Sequence, residues 1–247
     1  MKNENEKPLP GTVHDPMYPS PVEGSLAETS FHSNALIVLR ENLQDFFAAA
    51  GRKDVYVTSN MTLEYEKGVT TSRRDIDLFV VLGISPHPRD SFRVWEEGRW
   101  PDTVFEIASD TTHVRDTSET FEAYQRLGIR EYFLFDPENR VYDPTLEGYQ
   151  LEGGRYVPIQ PVEGDILPSQ RLGLWLVDQG GVLRVIDPAT RRIVPTPRER
   201  IAKIEAECDK IRKETRLLRL QTEWETLQPA KARIREIEEE LRQLRLS

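Results

Sequence analysis

Residues 75–84 read DIDLFVVLGI, and the apolar residues of that run are consecutive rather than alternate. A strand turns successive side chains to opposite faces, so a run that is apolar on both faces reads as a central strand covered on both. The rest of the fold has to supply those two covers. The run also holds an interruption, Asp77, and a second apolar run at 103–108, TVFEIA, is interrupted in the same way by Glu106. A buried carboxylate costs several kcal/mol unless a hydrogen bond, a cation or a proton compensates it.

The covers are visible on either side. Between Ser30 and Ala50, Ala35, Leu36, Val38, Leu39, Leu43, Phe46 and Phe47 recur at helical spacing, and Gly51 is a natural stop. DVYVTS (54–59) and MTLEYE (61–66) read as two strands before the central one, and PRDSFRVWEEGRWPD as a loop after it. Phe121, Tyr124 and Leu127 share one face of a further helix ended by Gly128, and EYFLFD (131–136) follows as a strand. Helix, three strands, strand, helix, strand implies an α/β fold, a mixed sheet flanked by helices. Residues 141–187 alternate short β-like runs with Gly turns and predict a β-rich appendage on the same domain.

Beyond Pro195 and Pro197 the chain turns into charged, Gly-free helix. Ile201, Ile204, Cys208 and Ile211 follow coiled-coil spacing, Leu217, Leu220, Trp224 and Leu227 repeat it in a shifted register, and Ile237, Leu241 and Leu244 resume it after Pro229. This predicts a C-terminal coiled coil or helical hairpin, interrupted at Pro229, that joins two copies as a homodimer. The organisation expected is a disordered or loosely draped arm over 1–27, a folded domain over 28–194 and a helical tail over 195–247.

Composition narrows the chemistry. One cysteine, Cys208, excludes an intramolecular disulfide framework, and with four scattered histidines it argues against structural zinc. The N-terminal MKNENEKPLPGTVHDPMYPSP has no apolar signal core, and no run approaches the roughly 18 apolar residues of a membrane span, so a cytoplasmic protein away from membranes is expected. The net charge is −9, and 13 Lys+Arg with 11 Asp+Glu in residues 198–247 leave 20 against 31 for residues 1–197. A generic nucleic-acid binder neutralises phosphates, so a globule this acidic needs a local basic patch or a bridging metal.

A metal would also answer the two interruptions. By strand alternation Asp77 shares a side with Phe79 and Val81, and Glu106 with Val104 and Ala108. If the two strands are neighbours, the carboxylates can sit side by side and hold a divalent cation through oxygen. The plainer reading pairs Asp75 and Asp77 with a turn or with Arg73 or Arg74, and Glu106 with an arginine such as Arg115.

The order of the helix with His32, DVYVTSN, DIDLFVVLGI, WEEGRWPDTVFEIASDTT, AYQRLGIREYFLFDP, LEGYQL, GRYVPI and LGLWL resembles the bacterial Uma-two family, which is grouped with restriction endonucleases in the PD-(D/E)XK nuclease superfamily. The resemblance covers roughly residues 28–190, and many relatives carry a helical tail. It implies a restriction-endonuclease-like fold and DNA phosphodiester hydrolysis with Mg²⁺ or Mn²⁺. Asp77 matches the aspartate of the PD motif, with Ile76 in the place of the proline, and Glu106 matches the strand glutamate. Ser109 matches the serine that follows, and Tyr124 and Tyr132 stand at familiar positions. Asp77 and Glu106 would hold the metal, which polarises the phosphate and activates a water.

The lysine that completes such sites is missing. Its strand position is Ala108, its alternative helix position Thr120, and between Lys67 and Lys203 the chain has no lysine at all. Arg115 or Arg126 could supply the charge, Lys53 or Lys67 could reach in from another strand, or the chain is a non-catalytic scaffold that keeps the nuclease fold and assembles through its tail. His32 reads first as a packing residue that could approach the site, and His113 as a solvated loop residue. Trp95 and Trp100 read as loop anchors against the sheet before they read as base-stacking platforms.

Overall fold

The computed structural model describes residues 30–108, 119–140 and 142–246. The expected N-terminal arm, Ser109, His113 and Arg115 lie outside the described residues. The chain divides into two compact units, Met1–Thr196 and Pro197–Ser247.

The first unit opens with helix α1 (Ser30–Ala49) and the antiparallel strands β1 (Val55–Glu64) and β2 (Arg73–Leu82). The two strands expected at 54–66 are one strand. Asn60 sits in its middle with φ 49°, and the ladder to β2 resumes beyond it in the same register, so a single residue in an αL conformation bends the strand without ending it.

The loop expected after β2 carries two short elements, β3 (Phe92–Arg93) and α2 (Val94–Glu97). Two ion pairs fix it: Arg93 Nε on Glu64 at 2.9 Å ties β3 to the end of β1, and Arg89 Nε on Glu97 at 2.5 Å closes the loop over Tyr56, whose ring centroid is 4.3 Å from the guanidinium. Strand β4 (Thr103–Ile107), helix α3 (Phe121–Leu127) and strands β5 (Glu131–Phe135), β6 (Leu146–Glu152) and β7 (Arg155–Pro158) follow. They complete a seven-stranded sheet in the order β3-β1-β2-β4-β5-β6-β7, parallel at β1/β3 and β4/β5 and otherwise antiparallel. The β-rich appendage is a second sheet of four short strands, β8 (Leu167–Ser169), β9 (Leu174–Asp178), β10 (Leu183–Asp187) and β11 (Arg192–Ile193).

Both faces of the large sheet are covered, as the run at 75–84 requires. Leu36, Leu39, Leu43 and Phe47 of α1, with Leu174, Leu176 and Val185 of the second sheet, pack on Leu78, Val80, Phe105, Ile107 and Phe133. On the opposite face Tyr124 of α3, Ile129 and Tyr156 pack on Phe79, Val81, Val104, Tyr132 and Leu134. At roughly 1.5–3 kcal/mol per buried large apolar side chain, these two layers are the main favourable contribution to folding.

One buried polar knot joins the sheets. Glu131 of β5 accepts hydrogen bonds from Thr103 Oγ1 of β4 at 3.2 Å, from Ser169 Oγ of β8 at 2.5 Å and from the Arg171 backbone N–H at 2.9 Å. Burial pushes its carboxyl above the ordinary 4.5, and the three donors pull it only part of the way back. A carboxyl raised by folding contributes most below its unfolded value and loses that contribution as pH rises through its folded value. Glu131→Gln therefore gains thermal stability relative to the wild type as pH rises from about 4 to about 8; a difference that does not change with pH in paired unfolding curves would show that Glu131 does not titrate this way.

The second unit is one 50-residue helix, α4 (Pro197–Leu246), which runs through Pro229. The interruption expected there is corrected: proline removes a single backbone donor, and the Ala-, Glu-, Lys-, Arg- and Leu-rich flanks propagate helix on both sides of it. Ile201, Ile204, Ile211, Leu217, Leu220 and Trp224 are each more than half exposed. Among the described residues no helix is long and apolar enough to cross a membrane.

Candidate active site

Strands β2 and β4 are neighbours, antiparallel, with Leu78 across from Phe105, Phe79 from Val104 and Val80 from Thr103. One more step in that register sets Asp77 across from Glu106. The step falls just past the last ladder pair, Leu78 with Phe105, where Asp77 reaches His32 of α1 and Glu106 reaches Tyr124 of α3.

Asp77 does not share its side with Phe79 and Val81 as alternation predicts. Ile76 packs in the same cluster as Phe79 and Val81, so the facing of β2 shifts by one residue between Ile76 and Leu78. Strand β1 shifts at the same level: Val55 and Val57 pack toward α1, whereas Met61 and Leu63 pack on the opposite face. The cause is Asn60, whose positive φ breaks the pleat between the Ser59–Leu78 and Met61–Ile76 pairs, across from Asp77. The aspartate stands at the break, its side chain 25% exposed.

Two partners define its surroundings. Asp77 Oδ2 accepts a hydrogen bond from the Ile107 backbone N–H at 2.8 Å and lies 3.2 Å from His32 Nε2 of α1. The Ile107 bond occupies a donor that the ended ladder leaves over, so the carboxylate is held by the backbone of the strand that carries Glu106. Its second oxygen, Oδ1, accepts no hydrogen bond from a described residue.

Glu106 is buried and accepts a short hydrogen bond from the Tyr124 hydroxyl. Tyr124 is itself fully buried; burial first, and the Glu106 charge second, push its phenol well above 10, so it remains a donor throughout the neutral range. Tyr132 lies beside it, with ring centroids 5.4 Å apart. The family model Uma2, described as putative restriction endonuclease, matches residues 15–179.

The chain belongs to the Uma2 family. No curated protein matches it. Among solved structures it is similar to a putative nuclease belonging to DUF820 from Anabaena variabilis, with 15% identity over 62% of this chain and 77% of that chain and a TM-score of 0.39.

The Uma2 chain has a cation here that its sequence suggests only as a partner of Asp75 or Asp77. Arg74 Nη1 donates to Thr120 Oγ1 at 3.2 Å, and the guanidinium carbon lies 5.7 Å from the centroid of the Tyr124 ring. Thr120 is the helix position at which the family resemblance places a lysine, so an arginine from β2 occupies the neighbourhood of that absent side chain. The other candidates among the described residues do not arrive. Arg126 is exposed two residues past buried Tyr124, about 200° around the helix. Lys53 precedes β1, seven residues from Asn60, or roughly 23 Å along extended chain. Lys67 is exposed in the turn between β1 and β2.

Among the described residues no group of three or more His, Cys, Asp and Glu could hold a metal ion. The donor set does fit a hard cation that takes its remaining ligands from water and phosphate. It offers two carboxylates, one with an oxygen that no described donor engages, and Mg²⁺ commonly uses one or two carboxylates in this way. Tyr124 does not exhaust Glu106, because an ionised carboxylate has about four acceptor positions.

Proposed function

We propose that this Uma2 chain is an endonuclease that hydrolyses DNA phosphodiester bonds with Mg²⁺ or Mn²⁺, held by Asp77 and Glu106, in a cytoplasmic setting. What supports the proposal is the β2/β4 register, which, carried one step past Leu78 and Phe105, sets Asp77 across from Glu106. The metal would supply Lewis-acid polarisation of the phosphate and a more acidic bound water. The protein's own residues do the positioning. Ile107 N–H and His32 orient Asp77, and Tyr124 orients Glu106 and keeps its proton at neutral pH. Arg74 offers a fixed guanidinium to negative charge developing on the phosphate. Ser109 belongs to the proposed site through the family resemblance alone, and Arg115 as a candidate for the missing lysine's charge; both lie outside the described residues.

The test is supercoiled plasmid incubated with the purified chain, with and without Mg²⁺ or Mn²⁺. Metal-dependent nicking is the expected result. No nicking with either metal, together with a thermal midpoint indifferent to both, would instead establish the non-catalytic scaffold.

The apolar seam of α4 supports self-association under either outcome, because a solitary helix leaves that seam in water. The full chain is expected to sediment as a homodimer, and a substitution of Leu217 and Leu220 by Glu to return it to a monomer; monomeric wild type at micromolar concentration would remove this part of the proposal.

A further inference from the structure

At the opposite end of β4 from Glu106 lies a cleft of about 260 Å³ lined by Arg99, Trp100, Asp102, Arg130 and Arg171, between the start of β4, the end of α3 and the β8–β9 turn. We infer that this cleft is a second, phosphate-binding site that takes a nucleotide unit, with Arg99 and Arg130 on the phosphate and Trp100 against the base. The inference stands apart from the carboxylate chemistry. Asp102 and Glu106 are four residues apart, roughly 13 Å along the strand, so one phosphate group cannot serve both places.

Charge carries the argument first. Three arginines and one aspartate line a cleft of a chain whose net charge is −9. Elsewhere in the same unit arginines meet carboxylates, as Arg52 does Asp54, Arg89 Glu97 and Arg93 Glu64. The side chains of Arg99 and Arg130 make no hydrogen bond or ion pair to any described residue, although acidic side chains are in excess. Two guanidinium groups on one cleft with no partner among the described residues repel each other until an anion joins them, and their planar forks match phosphate oxygens.

The cleft is also shaped from below. Asp102 is committed to the fold: its Oδ2 accepts the Leu82 backbone N–H at 2.8 Å and its Oδ1 pairs with Arg171. Its charge is therefore spent inside the wall rather than on Arg99 or Arg130. Arg171 keeps a buried Nε with no acceptor among the described residues. The side chain of Arg99 runs back against the end of β2, where a Cβ added to Gly83 would stand 3.5 Å from Nη2.

Trp100 adds the second chemistry. It is 37% exposed, so part of its ring stays open to solvent whatever it anchors, and it lines the cleft with the arginines. Phosphate-binding arginines next to an accessible aromatic ring are the combination that holds single-stranded nucleic acid or a free nucleotide.

The experiment is fluorescence anisotropy of a labelled single-stranded 12-mer with the full chain in EDTA, which suppresses metal-dependent cleavage, with AMP as competitor. Arg99→Gln/Arg130→Gln and Trp100→Ala are measured in parallel, each checked for an unchanged thermal midpoint. The double variant should weaken strand binding at least about 10-fold at low salt and reduce the slope of log K against log salt by about 1.4, at about 0.7 per single-strand phosphate. Trp100→Ala should weaken it roughly 5- to 150-fold. Strand binding with these losses, poorly displaced by AMP, identifies a nucleic-acid strand as the ligand. AMP binding with the same losses and no strand binding identifies a free nucleotide. Absence of both, or affinities and salt slopes unmoved by the arginine substitutions, overturns the inference. Retention of arginine-dependent binding in Asp77→Ala separates this site from the proposed cleavage chemistry.

Discussion

Asp77→Ala and Glu106→Ala are each expected to lower metal-dependent plasmid nicking on the order of 100-fold or more, because each removes one of the two carboxylates proposed for the metal. The two losses should not multiply in the double variant, since a site that has lost one ligand has little left for the second to hold. Their structural consequences differ. Asp77 is partly exposed, and its removal frees only the Ile107 N–H and His32. Glu106 is buried against Tyr124, so alanine there strands a buried hydroxyl at a cost of roughly 1–3 kcal/mol, and Glu106→Gln is the cleaner test because it keeps an acceptor for that hydroxyl. Single-turnover nicking rates with Mn²⁺ and with Mg²⁺, set beside thermal midpoints, separate the two effects. Wild-type rates in both Asp77→Ala and Glu106→Gln would show that the cleavage comes from elsewhere, a contaminant included.

The layered fold was legible because it rests on burial, and burial is written in the sequence as periodicity. Leu36, Leu39, Leu43 and Phe47 of α1 form the face their spacing implies, and the unbroken run Leu78–Val81 is covered on both sides. That the strands carrying Asp77 and Glu106 could be neighbours was legible for the same reason, since two strands of one small sheet have few ways to avoid each other, and β2 and β4 do pair. What failed was facing. The expected alternation through Asp77 assumes an unbroken pleat, and Asn60 breaks it from the partner strand, a distance of seventeen residues in sequence. Asn tolerates positive φ better than most residues, so the NM step between two β-rich runs fits a bend within one strand as well as the end of one strand and the start of another.

The same break hides the rest of the site. His32 meets Asp77 across forty-five residues, and Arg74 meets Thr120 across forty-six. Neither pairing leaves any local pattern, because long-range side-chain contacts depend on which way a bent strand turns its residues. The tail illustrates the reverse error. Pro229 was given the weight of a break, while fifty residues of favourable helix propensity outweigh one missing donor.

Arg74 is where these threads carry the second large effect. A guanidinium cannot readily act as a base, but stabilising negative charge needs only a fixed cation, and Arg74 is fixed at one end by Thr120 and faces the ring of Tyr124, which in turn holds Glu106. Arg74→Ala should therefore lower the nicking rate at saturating metal about 100-fold, the scale of losing one preorganised donor, while leaving the metal concentration for half-maximal rate little changed. Thr120→Val, which removes only the acceptor, should cost less. The informative variant is Arg74→Lys: a compact ammonium keeps the charge but not the fork, so partial recovery assigns the effect to charge, and none assigns it to the paired geometry. An Arg74→Ala enzyme with normal rate and normal stability would mean that the missing lysine is replaced by another group, and Arg115 is then the first residue to change.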